Sequence, residues 1–238
     1  MELKVQKYKK DFSYSYALGF FPVFELIKHK PETVLEVYLS SRAEGLEAGN
    51  KLAKLCMEKR IRFSSNDKVI TRISPKDNCF AAGVFKKFTG NLNVSANQLV
   101  LVKPENAGNL GTIIRTALGF DVSNIAIIKP GVDIFDPNCI RSSMGGVFQA
   151  NIAYFESFEE YRKVHHKRFN YLFMTTGEKP ARETEFRKPF SLFFGSESSG
   201  LPEEYKKIGD GVVIPQSGKI DSLNIAVAAG IGMYEATK

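Results

Sequence analysis

The sequence predicts an α/β protein whose second domain has a mostly parallel sheet with helices on both faces, preceded by a small α/β domain. In the second part of the chain, short apolar segments alternate with helical patterns. That alternation is typical of parallel strands joined by crossover helices. A stretch of small and polar residues at 91–98 follows Gly90 and has the composition of a domain joint. We therefore predict domains at residues 1–96 and 97–238.

The first domain is predicted to contain short helices alternating with strands. Leu46, Leu52 and Leu55 are spaced approximately as on one face of a helix. The predicted helices are 22–29 and 43–60, and the predicted strands are 33–40 and 79–85.

The second domain shows the alternation more clearly. Its predicted strands are 99–103, 124–129, 150–155, 171–176, 191–194 and 211–215. Its predicted helices are 110–120, 135–146, 157–169, 201–209 and 223–238.

The net charge of +7 is unevenly distributed along the chain. Residues 1–96 contain 17 Lys and Arg against 10 Asp and Glu, a net of +7, whereas residues 97–238 contain 16 of each sign. Clustered positive charge favours binding to a phosphate backbone. A solvated lysine-rich surface is the alternative.

Several classes of protein are disfavoured by composition. The three cysteines are far apart and form no C-x-x-C pair, so neither a disulfide framework nor a metal site is predicted. No apolar run is long enough to span a membrane. We predict a cytoplasmic protein with no membrane and no metal partner.

The loop after the first strand of the second domain carries Asn109 and Arg115. Gly108 and Gly111 flank Asn109 at a predicted strand-to-helix turn, where an asparagine can cap the helix. Arg115 follows in an otherwise apolar helix and needs either a partner or access to solvent. The glycine spacing matches neither the dinucleotide fingerprint nor a P-loop.

Two further loops carry polar residues after apolar strands. Gly195 and Gly200 bracket Glu197, while Ser222 and Asn224 stand at the entrance to the last helix. Helix capping would explain each loop separately. Because ligands of open α/β sheets bind at the carboxyl ends of the strands, all three loops together indicate one site.

These three stretches resemble the three motifs of the SpoU-type (TrmH-like) RNA ribose 2′-O-methyltransferases of the SPOUT superfamily. The matches are N-x-x-x-x-x-R-T-A at Asn109–Ala117, G-x-E-x-x-G-L at Gly195–Leu201 and I-P-x-x-G-x-x-x-S-L-N at Ile214–Asn224. The resemblance covers roughly residues 97–237. Residues 1–96 are similar, more weakly, to the substrate-binding domain that often precedes it.

The resemblance implies a SPOUT-type knotted sheet, with a trefoil knot formed by about Thr175–Lys238, and a homodimer that pairs the knotted regions. It implies S-adenosyl-L-methionine as cofactor. The residues implied for cofactor binding are Gly195, Ile214, Leu223, Thr175 and Gly200.

The implied reaction is methyl transfer to a ribose 2′-hydroxyl of RNA. Arg115 would be the central catalytic residue, acting either as a base or, as we favour, as a cation that binds an RNA phosphate. The residues that would arrange Arg115 and the substrate are Asn109, Glu197, Ser222 and Asn224.

The RNA itself is less closely defined by the sequence. The amino-terminal domain favours ribosomal RNA, and transfer RNA and a non-catalytic knotted RNA-binding protein are the alternatives. Aromatic residues near the basic amino-terminal segment could stack on bases, although such residues more often anchor a terminus to its core. They are Tyr8, Phe12, Tyr14 and Tyr16.

Overall fold

The computed structural model describes residues 5–74 and 77–238, and these form two compact units. One unit contains the chain up to Phe88 together with Asp133–Gln149, and the other contains Thr89–Val132 and Ala150–Lys238. The predicted boundary between residues 96 and 97 therefore differs from the division into these two units. Asp133–Gln149, which lies inside the second predicted domain, belongs to the first unit.

The elements follow one another along the chain as alternating strands and helices. The strands are β1 (Tyr14–Leu18), β2 (Val34–Leu39), β3 (Phe63–Ser65), β4 (Ala81–Lys86), β5 (Gln98–Val102), β6 (Asn124–Ile128), β7 (Asn151–Phe155), β8 (Phe169–Phe173), β9 (Lys179–Pro180), β10 (Phe190–Phe194) and β11 (Asp210–Val213). The α-helices are α1 (Phe20–His29), α2 (Glu47–Glu58), α3 (Asp67–Ile73), α4 (Ala107–Gly119), α5 (Pro137–Ser142), α6 (Phe158–Val164) and α7 (Ile225–Thr237). Short 3-10 helices are Pro31–Thr33, Ser41–Ala43, Gly146–Phe148, Ala181–Glu183 and Glu203–Lys207.

The first unit contains a four-stranded sheet in the order β1-β4-β2-β3. β4 is antiparallel to both of its neighbours, and β3 is parallel to β2. The predicted strands at 33–40 and 79–85 are confirmed as β2 and β4, but β1, β3 and α3 were not predicted. β1 was missed because a serine occupies an inward position. Ser15 is fully buried, and its hydroxyl donates to the carbonyl of Phe135 at 2.5 Å.

The segment Asp133–Gln149 packs within the first unit through polar contacts between residues far apart in sequence. Asp133 forms an ion pair with Lys87 at 2.8 Å and accepts a hydrogen bond from the Tyr8 hydroxyl at 2.5 Å. The predicted helix at 135–146 is therefore the shorter α5 of the first unit and not part of the second. Contacts across more than a hundred residues leave no local pattern that sequence reading could detect.

The aromatic residues near the amino terminus largely contact one another. Phe12 stacks on Tyr14 with ring centroids 5.0 Å apart and meets Tyr8 edge-on at 6.5 Å. Tyr16 is completely buried, and its hydroxyl donates to the Gln6 carbonyl at 2.5 Å. The prediction that Tyr16 could stack on bases is therefore wrong, because its ring lies in the core. Tyr16 anchors the terminal segment instead.

The second unit contains a seven-stranded sheet in the order β7-β6-β5-β10-β8-β11-β9, and every pairing in it is parallel. Alternate residues of its strands face opposite sides. On one side of the sheet, a hydrophobic core cluster includes Tyr161 of α6. The strand residues in this cluster are Val100, Val102, Ala126, Ile128, Leu172 and Phe193. On the opposite side Gly232 of α7 contacts the rings of Phe173 and Phe194. Helices therefore cover both faces, as predicted.

The sheet brings the carboxyl ends of β5, β10, β8 and β11 side by side. The predicted strands of this unit are all confirmed, with ends that differ by no more than three residues, while the two-residue edge strand β9 was not predicted. The predicted helix at 201–209 is instead the 3-10 helix Glu203–Lys207. Within the described part of the chain, no helix has the length and apolarity needed to cross a membrane.

Candidate functional site

Helix α4 begins at Ala107 with Asn106 as its N-cap, and Asn109 lies inside its first turn. The side-chain oxygen of Asn106 accepts hydrogen bonds from the amides of Gly108 at 2.8 Å and Asn109 at 3.0 Å. The expectation that Asn109 caps this helix was wrong, because Asn106 already satisfies those amides. The side chain of Asn109 is therefore available for the site.

The loop after β10 is a tight turn that only glycine permits at two positions. A Cβ atom on Gly195 would lie 1.9 Å from the carbonyl carbon of Gly200. Gly200 itself has φ of 66°, in the left-handed region. The amide of Gly200 donates to the carbonyl of Ser196 at 3.0 Å, which closes the turn. This geometry presents Glu197 at the carboxyl edge of the sheet.

The Glu197 carboxylate accepts three hydrogen bonds from the loop that enters α4. Its donors are the amides of Glu105 at 2.9 Å and Asn106 at 3.2 Å, and Nδ2 of Asn109 at 3.0 Å. Desolvation by burial acts to raise the pKa of Glu197, but the bonds from Asn109 and the backbone outweigh it and lower that pKa. Glu197 is thus an ionised acceptor at neutral pH.

Asn224 extends this arrangement to the third motif. Its side-chain oxygen accepts from the amide of Ala226 at 2.8 Å, which caps α7, and its Nδ2 donates to Oδ1 of Asn109 at 3.1 Å. Since a carboxylate only accepts, Nδ2 of Asn109 must face Glu197 and Oδ1 must face Asn224. One directed chain of hydrogen bonds therefore joins the three motifs.

A cavity of about 1060 Å³ lies at this edge of the second unit. It contains all but one of the residues predicted for the site. Those that line it are Asn109, Thr175, Gly195, Glu197, Gly200, Ile214, Ser222, Leu223 and Asn224. The three motif loops of a single chain therefore meet at one cavity.

Arg115 is the predicted site residue that the structure leaves outside this cavity. It lies on the exposed face of α4 and is absent from the cavity lining. Six residues separate it from Asn109, and six steps on an α-helix correspond to a rotation of about 240° beyond one full turn. The two side chains therefore leave the helix in different directions.

The cavity also contains polar residues that sequence reading missed. The hydroxyl of Ser198 donates to Glu105 at 2.6 Å, and that of Thr176 donates to Glu203 at 3.1 Å. Glu105 and Ser198 each lie within four residues of a predicted site residue, so a wider view of the same loops could have included them. Glu203 lies three residues after Gly200, just beyond Pro202, so the same wider view would have included it.

The charge of the cavity lining is negative. Its acidic residues are Glu105, Glu197, Glu203 and Asp221, and no Lys or Arg occurs among the described residues that line it. The rings of Phe173 and Phe194 supply an apolar wall, with centroids 4.6 Å apart. Such a cavity suits a ligand that combines an aromatic or apolar part with positive charge.

Two relatives match the second part of the chain. A protein named as an uncharacterized tRNA/rRNA methyltransferase of Synechocystis sp. is 33% identical over 143 residues, which is 59% of this chain and 52% of that protein. A tRNA (cytidine(34)-2′-O)-methyltransferase of Beijerinckia indica is 33% identical over 144 residues, or 59% of this chain and 89% of that enzyme. The chain spans little more than half the length of the Synechocystis relative.

A solved structure resembles nearly the whole chain. It is the crystal structure of an AdoMet-bound rRNA methyltransferase from Sinorhizobium meliloti, with a TM-score of 0.78 and 26% sequence identity. The similarity covers 94% of this chain and 87% of that one.

The profile of the SpoU rRNA Methylase family matches residues 96–234. That region is more than half of the chain and contains the three loops that build the cavity. The chain belongs to the SpoU rRNA Methylase family.

Proposed function

We propose that this protein transfers the methyl group of S-adenosyl-L-methionine to a ribose 2′-hydroxyl of a structured RNA. The observation that carries this proposal is the convergence of the three motif loops on one cavity, joined by the hydrogen-bond chain Asn224–Asn109–Glu197. The names of the relatives, which include a 2′-O-methyltransferase, support the same reaction class.

The cavity fits S-adenosylmethionine in size and character. Its volume is at the upper end of typical small-molecule sites. A Cβ atom on Gly200 would meet no neighbour within 4 Å, so glycine leaves the lining open at this position. When bound, the cofactor supplies an electrophilic methyl group on a positively charged sulfonium. The acidic lining favours that charge, and Phe173 and Phe194 provide an apolar surface for an adenine ring.

Glu197 is suited to orient the ribose hydroxyl rather than to deprotonate it. Its Oε1 accepts from the Asn106 amide and from Nδ2 of Asn109, whereas its Oε2 accepts from the Glu105 amide, so among the described residues Oε2 has the greater remaining acceptor capacity. Its lowered pKa makes it a weak base. In the reaction, the hydroxyl oxygen forms its bond to the methyl carbon, the carbon–sulfur electron pair returns to sulfur, and the hydroxyl proton passes to solvent. Correct alignment of that oxygen is the main contribution of the site.

Arg115 acts, in this proposal, as a cation that binds an RNA phosphate at the cavity of a second copy of the chain. It lies outside the cavity of its own chain, on α4. The ring of Phe120, the C-cap residue of α4, lies 6.2 Å from the ring of Tyr234 in α7. Val227 and Tyr234 of that helix are 52% and 56% exposed. Such side chains favour a symmetric homodimer that buries α4 and α7. Arginine remains protonated under ordinary conditions, so it cannot serve as a ready base.

The favoured substrate class is ribosomal RNA. The Sinorhizobium rRNA methyltransferase resembles this chain over both units, whereas the matched region covers most of the Beijerinckia tRNA enzyme but only 59% of this chain. The extra length here corresponds to the basic first part, which we assign to RNA binding. The trefoil knot predicted for about Thr175–Lys238 and the cytoplasmic location stay predictions.

The reaction is tested by incubating the protein with methyl-labelled S-adenosylmethionine and either bulk ribosomal RNA or bulk transfer RNA. We expect label in ribosomal RNA and resistance of the labelled nucleotide to alkaline cleavage, because a 2′-O-methyl group removes the attacking hydroxyl. Label in transfer RNA alone would change the substrate class. Absence of label in both would contradict the enzymatic proposal.

The role of Arg115 is tested with Arg115→Ala and Glu197→Ala chains, separately and after mixing. Each variant alone is expected to lose at least about 100-fold in methylation, the scale found for removing one electrostatic contact to a transition state. Arg115→Ala should retain cofactor binding and stability because Arg115 is exposed.

Mixing the two inactive chains should restore about a quarter of wild-type activity. Half of the randomly formed dimers are hybrids, and each hybrid has one cavity with an intact Glu197 that receives Arg115 from the other copy. If mixing restores nothing while native mass spectrometry shows hybrid dimers, the proposed action across the dimer is wrong.

A further inference from the structure

Four exposed cations lie in the two segments that lead into neighbouring strands at the amino-terminal end of the seven-stranded sheet, one of them in the last turn of α6 and the others in loops. Lys163 and Lys167 precede β8, while Arg187 and Lys188 precede β10. β8 and β10 are neighbours in the sheet, and their first residues pair in register. We call these four residues the basic patch. Residues 97–238 have no net charge, so a positive surface in this part of the chain depends on local clustering of cations and not on an overall excess of them.

The cations of the basic patch have no acidic partners. None of them lies within 4.0 Å of a carboxylate in the described part of the chain. Four exposed cations elsewhere in residues 97–238 do form ion pairs with carboxylates. Those pairs are Lys129–Glu156, Arg182–Glu183, Lys206–Glu203 and Lys238–Glu235.

Arg168 places a further positive charge directly behind the patch. Its guanidinium donates to the hydroxyl of Ser191 at 2.6 Å and to the carbonyls of Val94 at 2.8 Å and Phe190 at 3.2 Å, and it also donates to the carbonyl of Ala96. None of these partners carries a formal negative charge. The half-buried cation is held by neutral groups, so its field adds to that of the exposed cations.

Arg187 is held in place before any ligand binds. Its guanidinium lies 4.1 Å from the centroid of the Phe169 ring, and its amide donates to the hydroxyl of Tyr171 at 2.8 Å. A stacked guanidinium loses less freedom on binding and keeps its edge available for a phosphate. The patch thus contains an ordered guanidinium that can donate hydrogen bonds to a phosphate, as well as flexible lysine side chains.

The basic patch and the cavity lie at opposite ends of the same strands. Phe173 and Phe194 line the cavity at the carboxyl ends of β8 and β10, whereas the patch precedes Phe169 and Phe190. A strand of five residues covers about 16 Å. An RNA that reaches from the cavity to the patch must therefore extend over at least about five stacked nucleotides at 3.4 Å each.

We propose that the basic patch binds the phosphate backbone of the same RNA whose ribose is methylated at the cavity. The inference rests on the proposed function and narrows its substrate class to a structured RNA that spans both ends of the sheet. A phosphate backbone fits because the patch offers cations that have no carboxylate partner in the described part of the chain. The patch fixes the position of the RNA, and it carries no sequence preference.

The test compares two variants that lose the same charge. In the patch variant, Lys163, Lys167, Arg187 and Lys188 are all replaced by Gln. In the control variant, four exposed ion-paired cations from outside the basic first part, Lys129, Arg182, Lys206 and Lys238, are replaced by Gln. Binding is measured at several salt concentrations with bulk ribosomal RNA and with a three-nucleotide RNA, and binding of S-adenosylmethionine reports the native fold.

For the patch variant, we expect the slope of log K against log salt with ribosomal RNA to fall by about 3, since each lost phosphate contact removes 0.7–0.9. Its affinity for ribosomal RNA should fall at least tenfold, whereas its affinities for the short RNA and for S-adenosylmethionine should not change. The control variant should keep the wild-type slope. Equal slopes for the patch variant and the control would overturn the inference, as would an equal loss of affinity for the short RNA.

The result is separable from the proposed function. If wild-type protein binds and methylates RNA while the patch variant behaves like the control, only the inference about the patch fails. If wild-type protein shows no salt-dependent RNA binding, both fail together. A patch variant that loses S-adenosylmethionine binding is replaced by the double variant Lys163→Gln/Lys167→Gln, for which the expected fall in slope is about 1.5.

Discussion

The two ends of the seven-stranded sheet differ in how their polar side chains are satisfied. At the carboxyl end, the chain Asn224–Asn109–Glu197 borders an open cavity and keeps acceptor capacity for a ligand. At the amino end, Tyr161 donates to Gln98 at 2.8 Å and lies 2.8 Å from the hydroxyl of Ser191 inside the protein.

This difference separates function from stability within one sheet. A closed network of buried polar groups contributes to stability only while every member has its partner. An open chain at a cavity costs less to disturb, but its geometry controls the bound ligand. Variants of the buried network at the amino end should therefore change folding, and variants of the open chain at the carboxyl end should change methylation.

Replacing Arg168 tests the amino end most strongly. Arg168→Met keeps the aliphatic volume but leaves the part-buried carbonyls of Ala96 and Phe190, the exposed carbonyl of Val94 and the Ser191 hydroxyl without this donor. We expect a loss of about 4 kcal/mol in the free energy of unfolding, measured with urea, because uncompensated buried polar groups cost about 1–3 kcal/mol each and water replaces some donors.

The matched control is Arg187→Met, which removes an exposed arginine nearby and should cost less than about 1 kcal/mol. The comparison of the two ends would be wrong if both arginines had equal effects on unfolding. It would also be wrong if the Arg168→Met protein, after correction for the fraction that is folded, bound S-adenosylmethionine more weakly than the wild type.

His165 should make the amino end sensitive to acid. It is 5% exposed, and burial, with the nearby Arg168 charge, lowers its pKa to about 4. Gln98 Oε1 accepts from Tyr161, so its Nε2 faces Nδ1 of His165 at 3.1 Å, and a proton on Nδ1 would oppose that donor. The neutral form of His165 is therefore the native form.

The unfolded chain, with an ordinary pKa near 6.5 for this histidine, takes up the proton first as the pH falls. The stabilising contribution of His165 is complete above pH 6.5 and is lost between pH 6.5 and 4, up to about 3 kcal/mol. Urea unfolding across this range measures it. The non-titrating variant His165→Gln should show a shallower dependence, and identical pH profiles would contradict the assignment.

The smallest expected effect is the coupling between Asn109 and Asn224. Their single 3.1 Å hydrogen bond is exposed, so a double-mutant cycle with Asn109→Ala and Asn224→Ala should give a coupling energy of about 0.5–1 kcal/mol in unfolding. Asn224→Ala alone should cost about 1 kcal/mol because it also removes the cap of α7. Strict additivity would show that the two motifs do not communicate through this bond.

Sequence reading was successful where a local pattern reflects local structure. The apolar segments became strands because five consecutive positions of β5, β6 and β10 are buried on both faces of the sheet. It failed where a polar residue had a distant partner, as for Ser15 in β1. The cap of α4 was misassigned by three residues, because Asn106 and Asn109 both follow the same strand and only the backbone shows which one precedes the helix.

By itself, the sequence determined the alternation of strands and helices in the second unit and the loops that meet at its carboxyl edge. Those features follow from apolar periodicity and from glycines whose neighbours allow no side chain. Only the tertiary structure decided that Arg115 faces away from its own cavity and that Asp133–Gln149 packs with the first unit. It alone also joined Gln98, Tyr161 and Arg168 through the Ser191 network. These outcomes depend on which surfaces pack against each other, and long-range packing leaves no periodic trace in the chain.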